Sequence, residues 1–312
     1  MKKMSKTIVF FGNERLATGV TTEAATLRSL VKAGYKVSAV VSHYSAGQSR
    51  NSRSLEIQDA AEENNIPLLL PDKLDEKVIE KLKSYEAEVA VLVAYGKIVP
   101  QSVIDIFPKG IINVHPSLLP LHRGPTPIES VILDGSNKTG VSIMQLSKDM
   151  DAGPIFGQSE ITLNGTETKQ ALADQLLEVG KTMLLELLPD ILEGSLVALP
   201  QDDSQATYDN LISKDDGLID WAKPAQQIEN GIRAFQEWPK SRTTLGSQEV
   251  IITQAQVTDL TGKPGEIQVR DKQLIIYCGR RALSIERLKP SGKKEMTTPE
   301  FLRGYGRALL GG

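Results

Sequence analysis

A single cysteine, Cys278, in 312 residues rules out an intramolecular disulfide and any multi-cysteine metal site, and it suits a reducing compartment. Long apolar runs are also missing. The longest, such as Val89 to Ala94, falls far short of the roughly 20 residues that a membrane span requires. Met1 to Lys6 leads into a strand-like segment rather than a signal-peptide core. The expectation is a cytoplasmic protein with no membrane partner and no metal. Glycine is absent where a nucleotide loop needs it: the first strand ends in Phe11-Gly12-Asn13-Glu14, and the next glycine is Gly19. Without the three glycines of the dinucleotide fingerprint, and with no P-loop, an NAD-dependent oxidoreductase is disfavoured. No internal repeat or low-complexity tract is found.

What is present points to two domains, since 40% hydrophobic content over this length is enough for more than one packed core. The net charge is −3, but residues 213–312 hold 16 Lys and Arg against 12 Asp and Glu, leaving 20 against 27 before them. A basic C-terminal part fits either a solvated surface or contact with an anionic partner.

The first 150 residues alternate short β-branched runs with amphipathic stretches, the pattern of a parallel sheet covered by helices. Strands are expected at Thr7 to Gly12, Lys36 to Ser42, Glu88 to Ala94, Gly110 to Val114 and Thr139 to Leu146. Helices fit Glu23 to Ala33, Ser54 to Asn65, Leu74 to Lys83, Pro100 to Ile106, and one or two helices Thr168 to Leu192. Residues 201–212 have the composition of a linker. Beyond it, a helix at Ala225 to Phe235 is followed by short alternating segments at Glu249 to Val257, Gly265 to Val269, Leu274 to Cys278 and Leu283 to Leu288, as in a small antiparallel, OB-like barrel. The expected division is therefore a Rossmann-like α/β domain over 1–200, a linker, and a β-barrel domain over 213–312.

The most informative stretch is Asn113-Val114-His115-Pro116-Ser117-Leu118-Leu119-Pro120. Strand alternation puts Asn113 and His115 on one side, near the carboxyl end where open α/β sheets keep their sites. Pro116 and Pro120 then force the chain out of regular structure. On residue type alone, His115 is as well explained by a structural role as by a catalytic one. Asp149 and Asp151, beside Gly153 and Pro154, are ordinary turn formers, although a carboxylate there can reach back to orient a histidine.

NVHPSLLP, followed by HRGPTPI at 122–128, TGVSIMQL at 139–146 and DMDAGPI at 149–155, resembles the folate-dependent formyltransferases, with the 36-residue interval from His115 to Asp151 matching that family's spacing. VAYGKIVP at 93–100 resembles the segment before its catalytic strand. The resemblance implies 10-formyltetrahydrofolate as co-substrate and Asn113, His115 and Asp151 as catalytic residues. It also implies a folate site built from Ser117, Leu118, Leu119 and Pro120, with Gly96, Lys97, Ile98, Asp149 and Met150 as pterin-side walls. Asn113 and a protonated His115 would serve as donors to the oxygen that becomes negative, and Asp151 would favour imidazolium or take a proton from the amine.

KDDGLIDWAKPAQQIENGIRAFQEWP at 214–239 and LKPSGKKEMTTPEFLRG at 288–304 are similar to the members of the family that formylate methionyl initiator tRNA. The implied tRNA contacts are Arg50 and Arg53 in the loop His43 to Arg53, and Lys289, Lys293 and Lys294. An amino sugar nucleotide as acceptor and a non-catalytic RNA-binding relative are the alternatives. Three departures stand out: GNERL in place of G-T-P-x-F, Leu121-His122 in place of Arg-Trp, and a short 43–53 loop. Trp221 and Trp238 are expected in the core, and the protein is expected to be a monomer.

Overall fold

A computed structural model of the chain describes residues 7–43 and 55–310. It forms two compact units, one of residues up to Pro127 with Lys138–Thr162 and Gln170–Asn210, the other of Ile128–Asn137, Leu163–Lys169 and the chain from Leu211 onward.

In the first unit, strands and helices alternate: β1 (Thr7–Gly12), α1 (Ala25–Lys32), β2 (Lys36–Val41), α2 (Glu56–Glu63), β3 (Leu68–Leu69), α3 (Glu76–Lys83), β4 (Val89–Val93), α4 (Gln101–Ile104) and β5 (Ile111–His115). After α5 (Pro127–Asp134), which falls mostly to the second unit, come β6 (Lys138–Gln145), β7 (Ile155–Thr162) and the long α6 (Lys169–Glu193). The seven strands lie in the order β3-β2-β1-β4-β5-β6-β7, parallel from β3 to β5 and antiparallel from β5 to β7. This is the expected Rossmann-like sheet. Every residue of β1, β4 and β5 is buried, as befits strands covered on both faces.

Element ends shift by one or two residues from the expected ones, and 169–193 is one helix with Pro189 inside it. Three elements of this region gave no clear sequence signal. β3 has two residues, α5 begins on a proline, and β7 is an edge strand whose residues stay partly exposed on both faces.

Two close approaches set the sheet's carboxyl end. Gly12 has φ 124°, and a Cβ there would lie 1.8 Å from the Val93 carbonyl oxygen, so only glycine lets β1 run against β4 at this point. Gly180 of α6 admits Val114, whose Cγ1 lies 2.5 Å from where a Cβ would stand. The helix therefore rests directly on the strand that carries His115.

The departure at Asn13-Glu14 has a structural role. Glu14 is 1% exposed, and its carboxylate accepts from the backbone N–H of Thr26 and of Leu27, both at 2.8 Å. It thereby caps the first turn of α1, where Ala24 offers no side-chain cap. Burial pushes its carboxyl above the usual carboxylate range, against the pull of those two bonds and of Arg28.

The second unit contains α7 (Ala225–Ala234), β8 (Ser241–Leu245), β9 (Gln248–Thr258), β10 (Ile267–Arg270), β11 (Gln273–Tyr277), β12 (Ala282–Pro290), β13 (Met296–Thr297) and α8 (Thr298–Leu310). Its sheet is antiparallel in the order β10-β11-β12-β9-β8, with β13 on β12. Ile228, Ile232, Ile252, Leu274, Leu283 and Phe301 lie at its core. Trp221 packs against that core with its indole N–H bonded to Thr243 Oγ1 at 3.0 Å. Trp238 is not a core residue: it is 40% exposed, and only its carbonyl turns inward, to accept from the buried Lys169 ammonium at 3.1 Å.

Candidate active site

β5 delivers Asn113 and His115 to the same face, 6% and 5% exposed, at the level where its pairing with β6 sets them opposite Met144 and Ser142. Among the described residues none bonds to the Asn113 carboxamide, so a nearly buried N–H₂ is left for an incoming acceptor. His115 stands between two acceptors. Its Nε2 lies 3.1 Å from the His122 carbonyl oxygen, and its Nδ1 lies 3.7 Å from Asp151 Oδ1. A ring protonated on both nitrogens directs one N–H to each.

Asp151 reaches this position from the loop after β6, 36 residues along the chain. Its backbone is left-handed, φ 48°, a conformation that few residues other than glycine adopt without support. The support is visible: Gly124 N–H donates to Asp151 Oδ2 at 2.9 Å, and Gln201 Nε2 donates to the Asp151 and Gly153 carbonyls, both at 2.7 Å.

The segment after Pro116 is held largely by internal bonds. Ser117 Oγ donates to the Leu121 carbonyl at 2.7 Å, the Leu119 N–H donates to Ser142 Oγ at 3.0 Å, and Gln158 Nε2 donates to the Leu119 carbonyl at 2.7 Å. Ser117 and Leu119 are buried, so Leu118 and Pro120, both half-buried, are the members of this segment with surface to offer. Gly96, Lys97 and Ile98 are exposed, Ile98 at 88%, and so are Asp149 and Met150. His43 fixes the 94–98 loop from the end of β2: its Nε2 is 2.6 Å from the Tyr95 carbonyl oxygen, and its ring meets Tyr95 edge-on at 5.7 Å.

A cleft of about 290 Å³ adjoins that loop, lined by Asp72, Lys73, Leu74, Tyr95, Lys97, Ile98 and Pro100. Apolar walls with polar edges suit a flat heteroaromatic ring, and in this respect the loop fits a folate. A larger cleft of about 540 Å³ lies among charged side chains of α1 and α2, and Asn113, His115 and Asp151 line neither of the two clefts. Polar chemistry, rather than size, selects the site.

Residues 6–188 match the formyl transferase family, and residues 211–306 match the formyl transferase C-terminal domain. The chain belongs to the formyl transferase family. Within the family, the methionyl-tRNA formyltransferase of Chloroflexus aggregans is 37% identical over 304 residues, which cover 95% of this chain and 96% of that one. The enzyme of the same name from Methylococcus capsulatus is 36% identical over 308 residues, 96% and 97% of the two chains. Solved structures share the fold. The N-formyltransferase of Helicobacter canadensis, in complex with folinic acid and dTDP-3-aminofucose, has a TM-score of 0.64 at 18% identity over 89% of this chain and 98% of its own. HypX of Aquifex aeolicus, in complex with tetrahydrofolic acid, has a TM-score of 0.63 at 17% identity over 97% of this chain. This family member spans about half the length of HypX, 47%.

The remaining expected site residues divide in two. Arg50 and Arg53 lie outside the described residues. Lys289 is a half-buried residue of β12, and Lys293 and Lys294 are exposed in the turn between β12 and β13. Among the described residues no group of three or more His, Cys, Asp or Glu is placed to hold a metal ion, and no helix is long and apolar enough to cross a membrane.

The residues that hold the loops beside His115 were not among the expected site residues. Arg123, 1% exposed, donates to Gln201 Oε1, Asp203 Oδ1 and Tyr208 OH. His122, also left-handed at φ 57°, has its Nδ1 3.2 Å from Asp209 Oδ1, and its N–H donates to Thr207 Oγ1 at 2.7 Å. The residues at 201–209 have a linker's composition, and the family motif around His122-Arg123-Gly124 was the only pointer to them.

Proposed function

We propose that this chain transfers the formyl group of 10-formyltetrahydrofolate to the α-amine of methionyl initiator tRNA. The observation that carries the reading is the Asn113–His115–Asp151 arrangement: an unbonded, nearly buried carboxamide on the same strand face as a histidine held between a carbonyl and a carboxylate. Its acceptor is inferred from relatives that match almost end to end.

The folate supplies a formyl carbon already bonded to nitrogen. Asn113 donates to the formyl oxygen, a bond that strengthens as that oxygen becomes negative. His115, polarised by Asp151, adds positive charge on the same side. The amine loses a proton to the Asp151 carboxylate through a water molecule as its nitrogen takes the formyl carbon; the bond from that carbon to the folate N10 breaks, and N10 takes up a proton as tetrahydrofolate leaves. Leu118 and Pro120, with Ile98 and Met150, form the folate-facing surface. No side chain forms a covalent bond, because the amine is the nucleophile.

In this reading residues 1–200 carry the chemistry and 213–312 hold tRNA, in a monomer working in the cytoplasm. Labelled 10-formyltetrahydrofolate offered with methionyl-tRNA or with an amino sugar nucleotide tests it directly. Label in the tRNA supports the reading, and label only in the sugar nucleotide overturns the choice of acceptor.

A second experiment addresses the basic C-terminal part. Lys293 and Lys294 are exposed and have no acidic partner among the ion pairs of the described residues. Changing both to alanine is expected to weaken tRNA binding and to flatten its logarithmic salt dependence by up to about 2, with folate binding unchanged. Titrations at several salt concentrations read the slope. Equal slopes for the two proteins would remove these lysines from the tRNA surface.

A further inference from the structure

We infer that Gln201, in the stretch whose composition reads as a linker, is a positioning residue of the catalytic loop and acts on the reaction through Asp151. The inference rests on the catalytic reading of Asp151 given above and extends it to a residue that touches neither substrate.

The Gln201 carboxamide uses all of its bonding capacity. Its Oε1 accepts from Arg123 Nε at 3.1 Å and Nη2 at 2.8 Å, and its N–H₂ donates to the carbonyls of Asp151 and Gly153. A glutamine that only filled a surface turn would leave some of these groups to water. Here one end grips a guanidinium that is itself buried, and the other grips the backbone on both sides of Ala152, next to the left-handed residue whose carboxylate faces His115.

The same stretch acts on the opposite side of the ring. Thr207 Oγ1 and Asp209 Oδ1 hold the N–H and the ring of His122, whose carbonyl is the other acceptor facing His115. Backbone bridges from Arg123 to Tyr208 and from Ile155 to Leu199 keep the stretch against both loops. Residues 199–209 are thus a strap that clamps the two acceptors flanking His115, which are 29 residues apart in sequence.

Gln201→Glu separates positioning from folding. The carboxylate keeps the acceptor that Arg123 needs but loses both donors to the loop. It is expected to lower kcat by about 10- to 100-fold, as displacing a reacting group by an ångström does, with KM for both substrates within about threefold. The decisive measurement is a cycle with Asp151→Ala. If Gln201 works through Asp151, adding Gln201→Glu to Asp151→Ala costs no further activity.

Wild-type kcat in Gln201→Glu, or losses that multiply in the double variant, would overturn the inference and leave the catalytic reading standing. Full activity in Asp151→Ala would overturn that reading and the inference with it. Should Gln201→Glu fail to fold, the neutral Gln201→Met takes its place in the cycle. Thr207→Val, which removes the acceptor for His122 N–H, then probes the other arm, with a fall in kcat at constant KM expected and unchanged kcat counting against the strap.

Discussion

His115→Ala is expected to reduce the formylation rate by about 10²- to 10³-fold, the usual loss when a donor to a developing oxyanion is removed, with the fold intact. The size follows from how the ring is placed. It is 5% exposed, and its two nitrogens face the His122 carbonyl and the Asp151 carboxylate, so a donor there works in a site that water reaches poorly. Alanine removes this donor and leaves the other two groups in place. Asn113→Ala should show a loss of similar order, because its carboxamide is the only other donor proposed for the same oxygen. The two losses should not multiply if both groups serve one charge. Single-turnover formylation, with circular dichroism to establish folding, reads the effect, and a folded His115→Ala protein with near-wild-type turnover would remove the mechanism.

Lys169→Ala is expected to destabilise the second unit by about 3 kcal/mol or more, the typical cost of removing one partner from a buried ion pair. Lys169 is fully buried at the start of α6. Its ammonium lies 3.6 Å from Glu129 Oε1, 3.5 Å from Glu237 Oε2 and 3.1 Å from the Trp238 carbonyl oxygen. Glu129 is 2% exposed, so deleting the lysine strands a carboxylate that water reaches poorly. All four groups belong to the same compact unit, as do both tryptophans of the chain, Trp221 and Trp238. Tryptophan fluorescence therefore reports the unfolding of that unit alone, which avoids treating a two-unit chain as a single transition. With a urea dependence of roughly 1–3 kcal/mol per molar, the midpoint should fall by at least about 1 M. Pairing Lys169→Met with Glu129→Gln should restore most of the loss, since it removes both charges. An unchanged midpoint in Lys169→Ala would show that the cluster contributes nothing net to stability.

Local patterns carried a great deal of this. The β-branched runs Thr7–Gly12, Val89–Val93 and Ile111–His115 read as buried parallel strands because burial on both faces demands apolar side chains at every position. The order of motifs from Asn113 to Pro154 was enough to name a family. Trp238 shows the limit of that reading. A large aromatic ring next to core residues is expected inside, but the ring is 40% exposed and it is the backbone carbonyl that turns to the Lys169 ammonium, and no local pattern records a partner 69 residues away.

The sequence by itself determined the α/β sheet, the basic C-terminal part and the strand end that carries Asn113 and His115, because each depends on periodicity or composition within a few residues. The family resemblance already pointed to Asp151 beside His115; only the tertiary structure decided what else faces the ring and what holds it there. The His122 carbonyl, and the Gln201, Thr207 and Asp209 side chains that fix it and the Asp151 loop, come from two other loops. Hydrogen bonds between distant loops depend on ångström-scale positions set by the packing of α6 and the sheet, and linker-like composition at 201–209 carries no trace of them.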